Sequence, residues 1–494
     1  VLTPDESHVV LIRKSALEGE IQMSEGLAPV QGRRLYPGTE SALAAAAFRL
    51  DNSRTRRRTN PRIKLMRPRS SLILAAMIIA TGAHAQTRDF AQVKPESVGF
   101  SAERLQRIDD AMQATIDSKT LAGMVTVLAR HGKIVEFKTY GQQDIASATP
   151  MQKDSIFRIY SMTKPTIGVA MMMLYEEGKW RPSDPIAKFI PELADVQVYA
   201  GTDGDGKMIL EKPKHAPTIG ELMSHNAGFT YGLFGNTPVD NLYKKTNPLD
   251  GKSLKEFIDR LAALPLLYQP GEGWVYSVSV DVQGLLIERM SGKALPEFMQ
   301  QRVFGPLGMK DTGFSVPQEK LNRVATIYNT GPGGIVPLPR DPHITQTPGL
   351  ASGGGGLYST AADYLRFTQM LLNNGELNGV RLLAPSSVQL MRTNHLPEQV
   401  TSKGTFGIGY YKMQPGFGFG YDVAVFEDPI RLGSTTGQGS FLWDGVAGTW
   451  FWVDPTNDVI FIGMIQRLLL GGGVPNLEDL SRSLVYQALV DPKR

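Results

Sequence analysis

Hydrophobic positions recur along this chain in patterns that predict its elements. After Ser101, a fair N-cap, Leu105, Ile108, Met112 and Ile116 fall at helical spacing and line one face. Two apolar, β-prone runs follow, Met124–Leu128 and Ile134–Tyr140, joined near His131-Gly132, which predicts a hairpin. Towards the other end, Gly448–Val453 and Val459–Ile465 flank Asp454-Pro455-Thr456-Asn457-Asp458, a second hairpin with turn residues in its middle. A last amphipathic helix places Leu477, Leu480, Leu484 and Ala488 on one side. The middle of the chain is mixed. Helical runs at Ile167–Tyr175, Val282–Met290 and Tyr364–Leu372 alternate with long Gly- and Pro-rich loops, and the glycine runs Gly353–Gly356 and Gly471–Gly473 read as loops.

Helix plus antiparallel strands at both ends predict an α+β fold. The economical arrangement joins the two ends in one antiparallel sheet flanked by the N- and C-terminal helices, with a mostly helical domain inserted between them. The boundaries that follow are 86–160 with 431–494 for the sheet domain and 161–430 for the insertion. Ligand sites favour the kind of junction this creates.

The segment before residue 86 reads differently. Met66, Arg67 and Arg69 precede the apolar run Leu72 to Ala80 and then Ala83-His84-Ala85, the order of a signal peptide over 66–85. The run falls short of the ~20 apolar residues that span a bilayer. A periplasmic or secreted protein without a stable membrane span is the expectation, with 1–65, rich in Arg, as a disordered leader or over-extended reading frame. Composition narrows the chemistry. Of 494 residues 42% are apolar, enough for a substantial core, and a net charge of +4 with no recognisable motif argues against nucleic acid. Zero cysteines remove disulfides, thiol catalysis and thiolate metal sites, and the 7 histidines form no metal-spaced pair. Neither glycine run has a dinucleotide-binding context, so no cofactor is expected. The sequence does not fix the oligomeric state.

Three elements could carry chemistry. Ser161-Met162-Thr163-Lys164 opens a helix, and Pro165 fits only in its first turn. Ser161 then stands at the helix head, where free N–H groups favour negative charge, and Lys164 lies one turn along on the same face. A desolvated lysine there can lose its proton and act as a base. The bland reading is a capping serine beside a solvated lysine. Next, a turn-rich loop delivers Tyr276 in Trp274-Val275-Tyr276-Ser277-Val278; its phenol could take the serine proton near a lysine, or it could be a core tyrosine. Last, Gly439-Ser440-Phe441-Leu442-Trp443-Asp444-Gly445-Val446 lies on a predicted strand whose glycines suggest close approach to a ligand, or a mere bulge. Ser224-His225-Asn226 reads as a helix terminus and turn. No G-x-S-x-G elbow is present.

In order and spacing these elements resemble the serine β-lactamase and DD-peptidase superfamily, and most closely the family VIII carboxylesterases, which look like class C β-lactamases. The resemblance runs from about Pro95 to Val490. It takes in Ser161-Met162-Thr163-Lys164-Pro165, the stretch from Thr218 to Gly228, Pro306 to Thr312, Ser352 to Thr360 and Phe451-Trp452-Val453-Asp454-Pro455. It implies a β-lactamase/transpeptidase-like fold. It also implies Ser161 as nucleophile, Lys164 as activator, Tyr276 as general base held near its anion by Lys164, and the backbone N–H groups of Ser161 and Val446 as oxyanion hole. Two departures bear on substrate. The β-lactamase Tyr-x-Asn is Tyr276-Ser277-Val278 here, and Lys-Thr-Gly is Trp443-Asp444-Gly445. Val278 cannot hydrogen-bond a lactam amide. Asp444, if it points inward, repels a drug carboxylate, and Trp443 offers an apolar wall instead. Trp443, Asp444, Gly445 and Val278 are thus the expected substrate-binding positions. Short-chain, neutral esters cleaved through an acyl-enzyme are the expected substrates. The alternatives are a β-lactamase with weak cephalosporin hydrolysis, a D-peptidase, and a retired hydrolase fold that only binds ligand.

Overall fold

The computed structural model describes residues 90–402, 407–408, 411–412, 414–469 and 472–493. The leader and signal-peptide expectations, over 1–85, lie outside the described residues. Among those described, eight antiparallel strands share one sheet: β1 (Gly123–Arg130), β2 (Lys133–Asp144), β3 (Thr149–Pro150), β4 (Phe417–Phe419), β5 (Ala424–Phe426), β6 (Phe441–Asp444), β7 (Trp450–Asp454) and β8 (Val459–Met464). Their order across the sheet is β4-β5-β6-β7-β8-β1-β2-β3. The two ends of the chain therefore meet where β8 pairs β1, with Val125 opposite Met464 and Arg130 opposite Val459.

Both predicted hairpins form. The β1–β2 turn uses His131 and Gly132, each with positive φ (52° and 66°), as a tight two-residue connection requires. β1 and β8 are buried along their whole lengths, so their sequences are almost continuously apolar. β2 lies nearer the edge and its exposure varies along its length.

Helix α1 (Ala102–Asp117), capped by the Ser101 hydroxyl, packs against α5 (Leu477–Ala488) on one side of the sheet. Between them in sequence come α2 (Thr163–Glu176), α3 (Ser279–Ser291) and α4 (Ala361–Leu372), with α4 packed against β1, β7 and β8. Arg130, almost fully buried, closes the ends together. Its guanidinium donates to the carbonyls of Val98 (2.8 Å), Asn457 (3.0 Å) and Pro492 (2.8 Å).

Two expectations are corrected. The sheet begins at β4, not at residue 431, because Ala424–Phe426 pairs onto β6 and Phe417–Phe419 pairs onto Ala424–Phe426. Those strands are three residues long and sit among glycines, so no alternation reveals them. On α5 the innermost line is Leu477, Ser481, Val485 and Ala488, with Leu480 and Leu484 only partly buried. Ser481 is inside because its hydroxyl accepts the indole N–H groups of Trp450 (3.3 Å) and Trp452 (3.4 Å).

Candidate active site

Ser161 sits in a single 3-10 turn, Tyr160–Met162, that runs directly into α2. Tyr160 is held at φ 41°, a costly conformation for a non-glycine residue and a common sign of an enforced functional turn. Pro165 occupies the first turn of α2, as its missing N–H requires. Nearly all of α2 is buried, which is why its sequence is apolar around the whole circumference.

Lys164 is the exception on that helix, a fully buried amine. Its Nζ donates to Ser161 Oγ at 3.1 Å and to the carbonyl of Gly354 at 2.7 Å. Burial disfavours the ammonium and lowers its pKa to about 7, against the pull of Asp281, Asp422 and Asp444. The capping-serine reading, with a solvated lysine, is thereby set aside.

Tyr276 arrives from the loop before α3, and its phenol hydrogen-bonds Ser161. The indole N–H of Trp443 donates to the same phenol oxygen at 3.1 Å. Serine, amine and phenol thus converge, with the amine and phenol buried and the serine half-buried. Their charge states differ from expectation. The Lys164 amine lies over the face of the Tyr276 ring, 4.3 Å from its centroid. Burial holds the phenol well above 10, with the bonds from Ser161 and Trp443 only partly offsetting it. Lys164 does not bring the phenol near its anion; the amine is the group brought near neutrality.

The remaining predicted positions divide between the two faces of β6. Trp443 is not an open wall. It is 1% exposed and packs on Tyr276 and Phe419, ring centroids 5.2 Å away in each case. Asp444 does not point inward. Side chains alternate along a strand, and Asp444 faces Trp450 and α5, where burial and the neighbouring Glu478 raise its pKa. Gly445 makes its close approach to the protein's own backbone rather than to a ligand. A Cβ there would lie 2.4 Å from the Ile159 carbonyl oxygen. Thr449 Oγ1 donates to the same carbonyl (3.2 Å), so the Gly445–Gly448 turn that carries Val446 is stitched to the segment carrying Ser161. Val278 is buried as the N-cap of α3 and offers no polar side-chain atom.

Several residues escaped the single-residue reading. Gly354 supplies a carbonyl to Lys164. Tyr231 packs edge-on against Tyr276, ring centroids 5.3 Å apart. His225, in the turn expected after Ile219–Met223, packs behind Tyr276 (5.0 Å between ring centroids) and accepts the Ser277 backbone N–H at Nδ1 (3.3 Å). Burial and Lys164 push His225 well below its usual 6.5, so it is neutral there. The available signal was that all three fall inside or just beyond the stretches Thr218–Gly228 and Ser352–Thr360.

Residues 108–482 match the Beta-lactamase family. Protein Rv1367c of Mycobacterium tuberculosis is 38% identical over 368 residues, spanning 72% of this chain and 90% of its own. Esterase EstB of Burkholderia gladioli is 30% identical over 388 residues, spanning 73% and 90%. Among solved structures, EstCE1, described as a hydrolase with promiscuous acyltransferase activity, superposes with a TM-score of 0.64 at 26% identity, covering 78% of this chain and 99% of its own. The matched region contains the Ser161-Lys164-Tyr276 cluster and the sheet beneath it, and the chain belongs to the Beta-lactamase family.

Proposed function

We propose that the protein is a carboxylesterase that cleaves neutral, short-chain esters through an acyl-enzyme on Ser161. The observation that carries this reading is the 3.1 Å contact between Ser161 Oγ and a buried lysine amine whose pKa lies near 7, with the Tyr276 phenol on the same hydroxyl. The names of EstB and EstCE1, an esterase and a hydrolase, point the same way.

In the first half-reaction the neutral Lys164 amine accepts the Ser161 proton as Oγ attacks the ester carbonyl carbon. The backbone N–H groups of Ser161 and Val446 receive the oxyanion, and loss of one such donor typically costs a hundred- to a thousand-fold in rate. The Lys164 ammonium returns that proton to the departing alkoxide, so the alcohol leaves uncharged and the lysine is neutral again, while Tyr276 stays a neutral phenol beside Ser161. In the second half-reaction water adds to the acyl-enzyme, its proton passes to the amine, and Ser161 is reprotonated as the carboxylic acid departs. Ester and water become acid and alcohol, with every proton returned.

Preference for esters over β-lactams is supported by side chains that cannot take part. Val278 has no hydrogen-bonding group, and position 443 carries an indole committed to Tyr276. Export to the periplasm or the medium belongs to this proposal and rests on the Met66 to Ala85 segment. Among the described residues no helix is long and apolar enough to cross a membrane.

The test is hydrolysis of p-nitrophenyl butyrate beside nitrocefin and a D-Ala-D-Ala peptide, with labelling by a fluorophosphonate. The butyrate is expected to dominate, and Ser161→Ala should lose both its turnover and the label. Near-wild-type turnover by Ser161→Ala rejects the nucleophile; preferential nitrocefin or peptide cleavage rejects the substrate class.

A further inference from the structure

The Lys164 amine has two hydrogen-bond partners that fix its place, and only Ser161 belongs to the reacting group. The other is the carbonyl of Gly354, in the glycine run that loops over the head of α2. That loop is tied to Asp281 in the first turn of α3. One carboxylate oxygen of Asp281 accepts both the Ser352 hydroxyl (2.5 Å) and the Gly354 backbone N–H (3.0 Å). The Gly354 residue is therefore held at both ends, its N–H by Asp281 and its carbonyl by Lys164. The fit leaves no room for a side chain: a Cβ at Gly354 would lie 2.5 Å from the other Asp281 oxygen and 2.7 Å from the Tyr231 hydroxyl. Asp281 is itself fully buried. Val278, one turn earlier and nearer Tyr276, has nothing polar with which to hold the amine.

We propose that Asp281 is a positioning residue of the acyl-transfer site: through Ser352 and Gly354 it fixes the carbonyl that holds the Lys164 amine on Ser161, and its charge sets how readily that amine keeps its proton. The proposal rests on the Ser161-Lys164-Tyr276 reading given above. Three carboxyl groups act on Lys164, Asp281 from α3, Asp422 from the turn between β4 and β5, and Asp444 from β6, and Asp281 exerts the largest pull of the three. The phenols of Tyr231 and Tyr276 stand over or beside the amine, and His225 behind Tyr276 is neutral. Around Asp281 itself the titratable groups are Lys164, Tyr231 and Tyr276. Burial pushes Asp422 well above the usual carboxylate range, with a single donor, Gln283, on one of its oxygens (3.0 Å). Burial raises Asp281 too, and Lys164 opposes the rise at both carboxyls, but Asp281 accepts from two donors where Asp422 accepts from Gln283, and is the better placed to stay ionised.

The experiment measures kcat and KM for p-nitrophenyl butyrate against pH in the wild type, Asp281→Asn and Ser352→Ala, with fluorophosphonate labelling and thermal melts on each. Removing the Asp281 charge takes away an interaction that favours the ammonium, so the rising limb of kcat/KM should move to lower pH by about one unit. The plateau kcat should fall about tenfold as the amine loses its fixed place, with KM little changed. Ser352→Ala removes one tether and no charge. It should lower kcat by about three- to tenfold and leave the limb where it is. A limb unmoved in a folded Asp281→Asn overturns the proposal while leaving Ser161 as nucleophile, which the label reports separately. If Asp281→Asn does not fold, wild-type kcat in Ser352→Ala overturns it instead. Labelling of another residue in the wild type removes the site reading, and the proposal falls with it.

Discussion

Lys164 as base makes the pH dependence of the wild-type enzyme a direct test. The perturbation is pH itself, and the magnitude follows from a buried amine with a pKa of about 7. The neutral form is the active one, so activity falls as the amine is protonated. Its share is about one eleventh at pH 6, half at pH 7 and ten elevenths at pH 8, which makes kcat/KM about tenfold higher at pH 8 than at pH 6. Below pH 6 the decline should approach tenfold per unit. No loss should appear on the alkaline side up to pH 9, because burial holds the Tyr276 phenol well above its usual value and keeps it neutral. The assay is kcat/KM for p-nitrophenyl butyrate from pH 5 to 9 at constant ionic strength, corrected for spontaneous hydrolysis and for any unfolding. A profile already flat from pH 5, or one that rises only near the ordinary amine value of 10.5, refutes the assignment of Lys164 as a desolvated base.

The same burial destabilises the fold. Lys164 is lowered in the folded state, so the unfolded chain binds the extra proton between about pH 7 and 10.5, and stability should rise with pH across that window. The full span is about 5 kcal/mol as an upper figure; urea melts at pH 7 and pH 9 should show a gain in wild type that Lys164→Met lacks. Trp443→Phe removes the indole donor from the Tyr276 oxygen and should lower kcat about two- to tenfold, the equivalent of one neutral hydrogen bond, in stopped or continuous ester assays. An unchanged kcat would mean that the indole does not orient the phenol. Gly445→Ala drives a methyl into the Ile159 carbonyl and should displace the Val446 turn, with kcat falling by more than tenfold while circular dichroism stays near wild type. Arg130→Met leaves four carbonyls, that of Val98 buried, without their donor and should reduce stability by about 2 kcal/mol in urea titration, with kcat unchanged at low denaturant.

What could be read from the sequence was local. The hairpin at His131-Gly132, the start of α2 set by Pro165, and the Ile219–Met223 terminus each follow from residues within a few positions of one another. The encounter of the two chain ends followed from the shared need of both hairpins for a covered apolar face. What could not be read depends on facing. β6 is apolar towards both layers, so its alternation gives no sign that Trp443 turns to Tyr276 while Asp444 turns to α5. The Ser481 position on α5 looks polar and exposed until the two tryptophan N–H groups across the interface are known to need an acceptor.

The protonation pattern of the site illustrates the same limit with larger consequences. A lysine near a tyrosine lowers the phenol's pKa when the ammonium meets the oxygen, but lends it far less when it meets the ring face, where the attraction is to the π electrons of either form. The spacing of residues 161, 164 and 276 is silent on which of these holds. Here the amine lies on the face, the oxygen is taken by Ser161 and Trp443, and both groups are out of water. Desolvation then acts on each in its own direction, raising the phenol and lowering the amine, and so selects a neutral pair. A neutral pair suits a neutral ester. The proton that leaves Ser161 moves between groups that begin and end uncharged, and above pH 7 the amine is mostly neutral and offers little to recruit a carboxylate-bearing substrate.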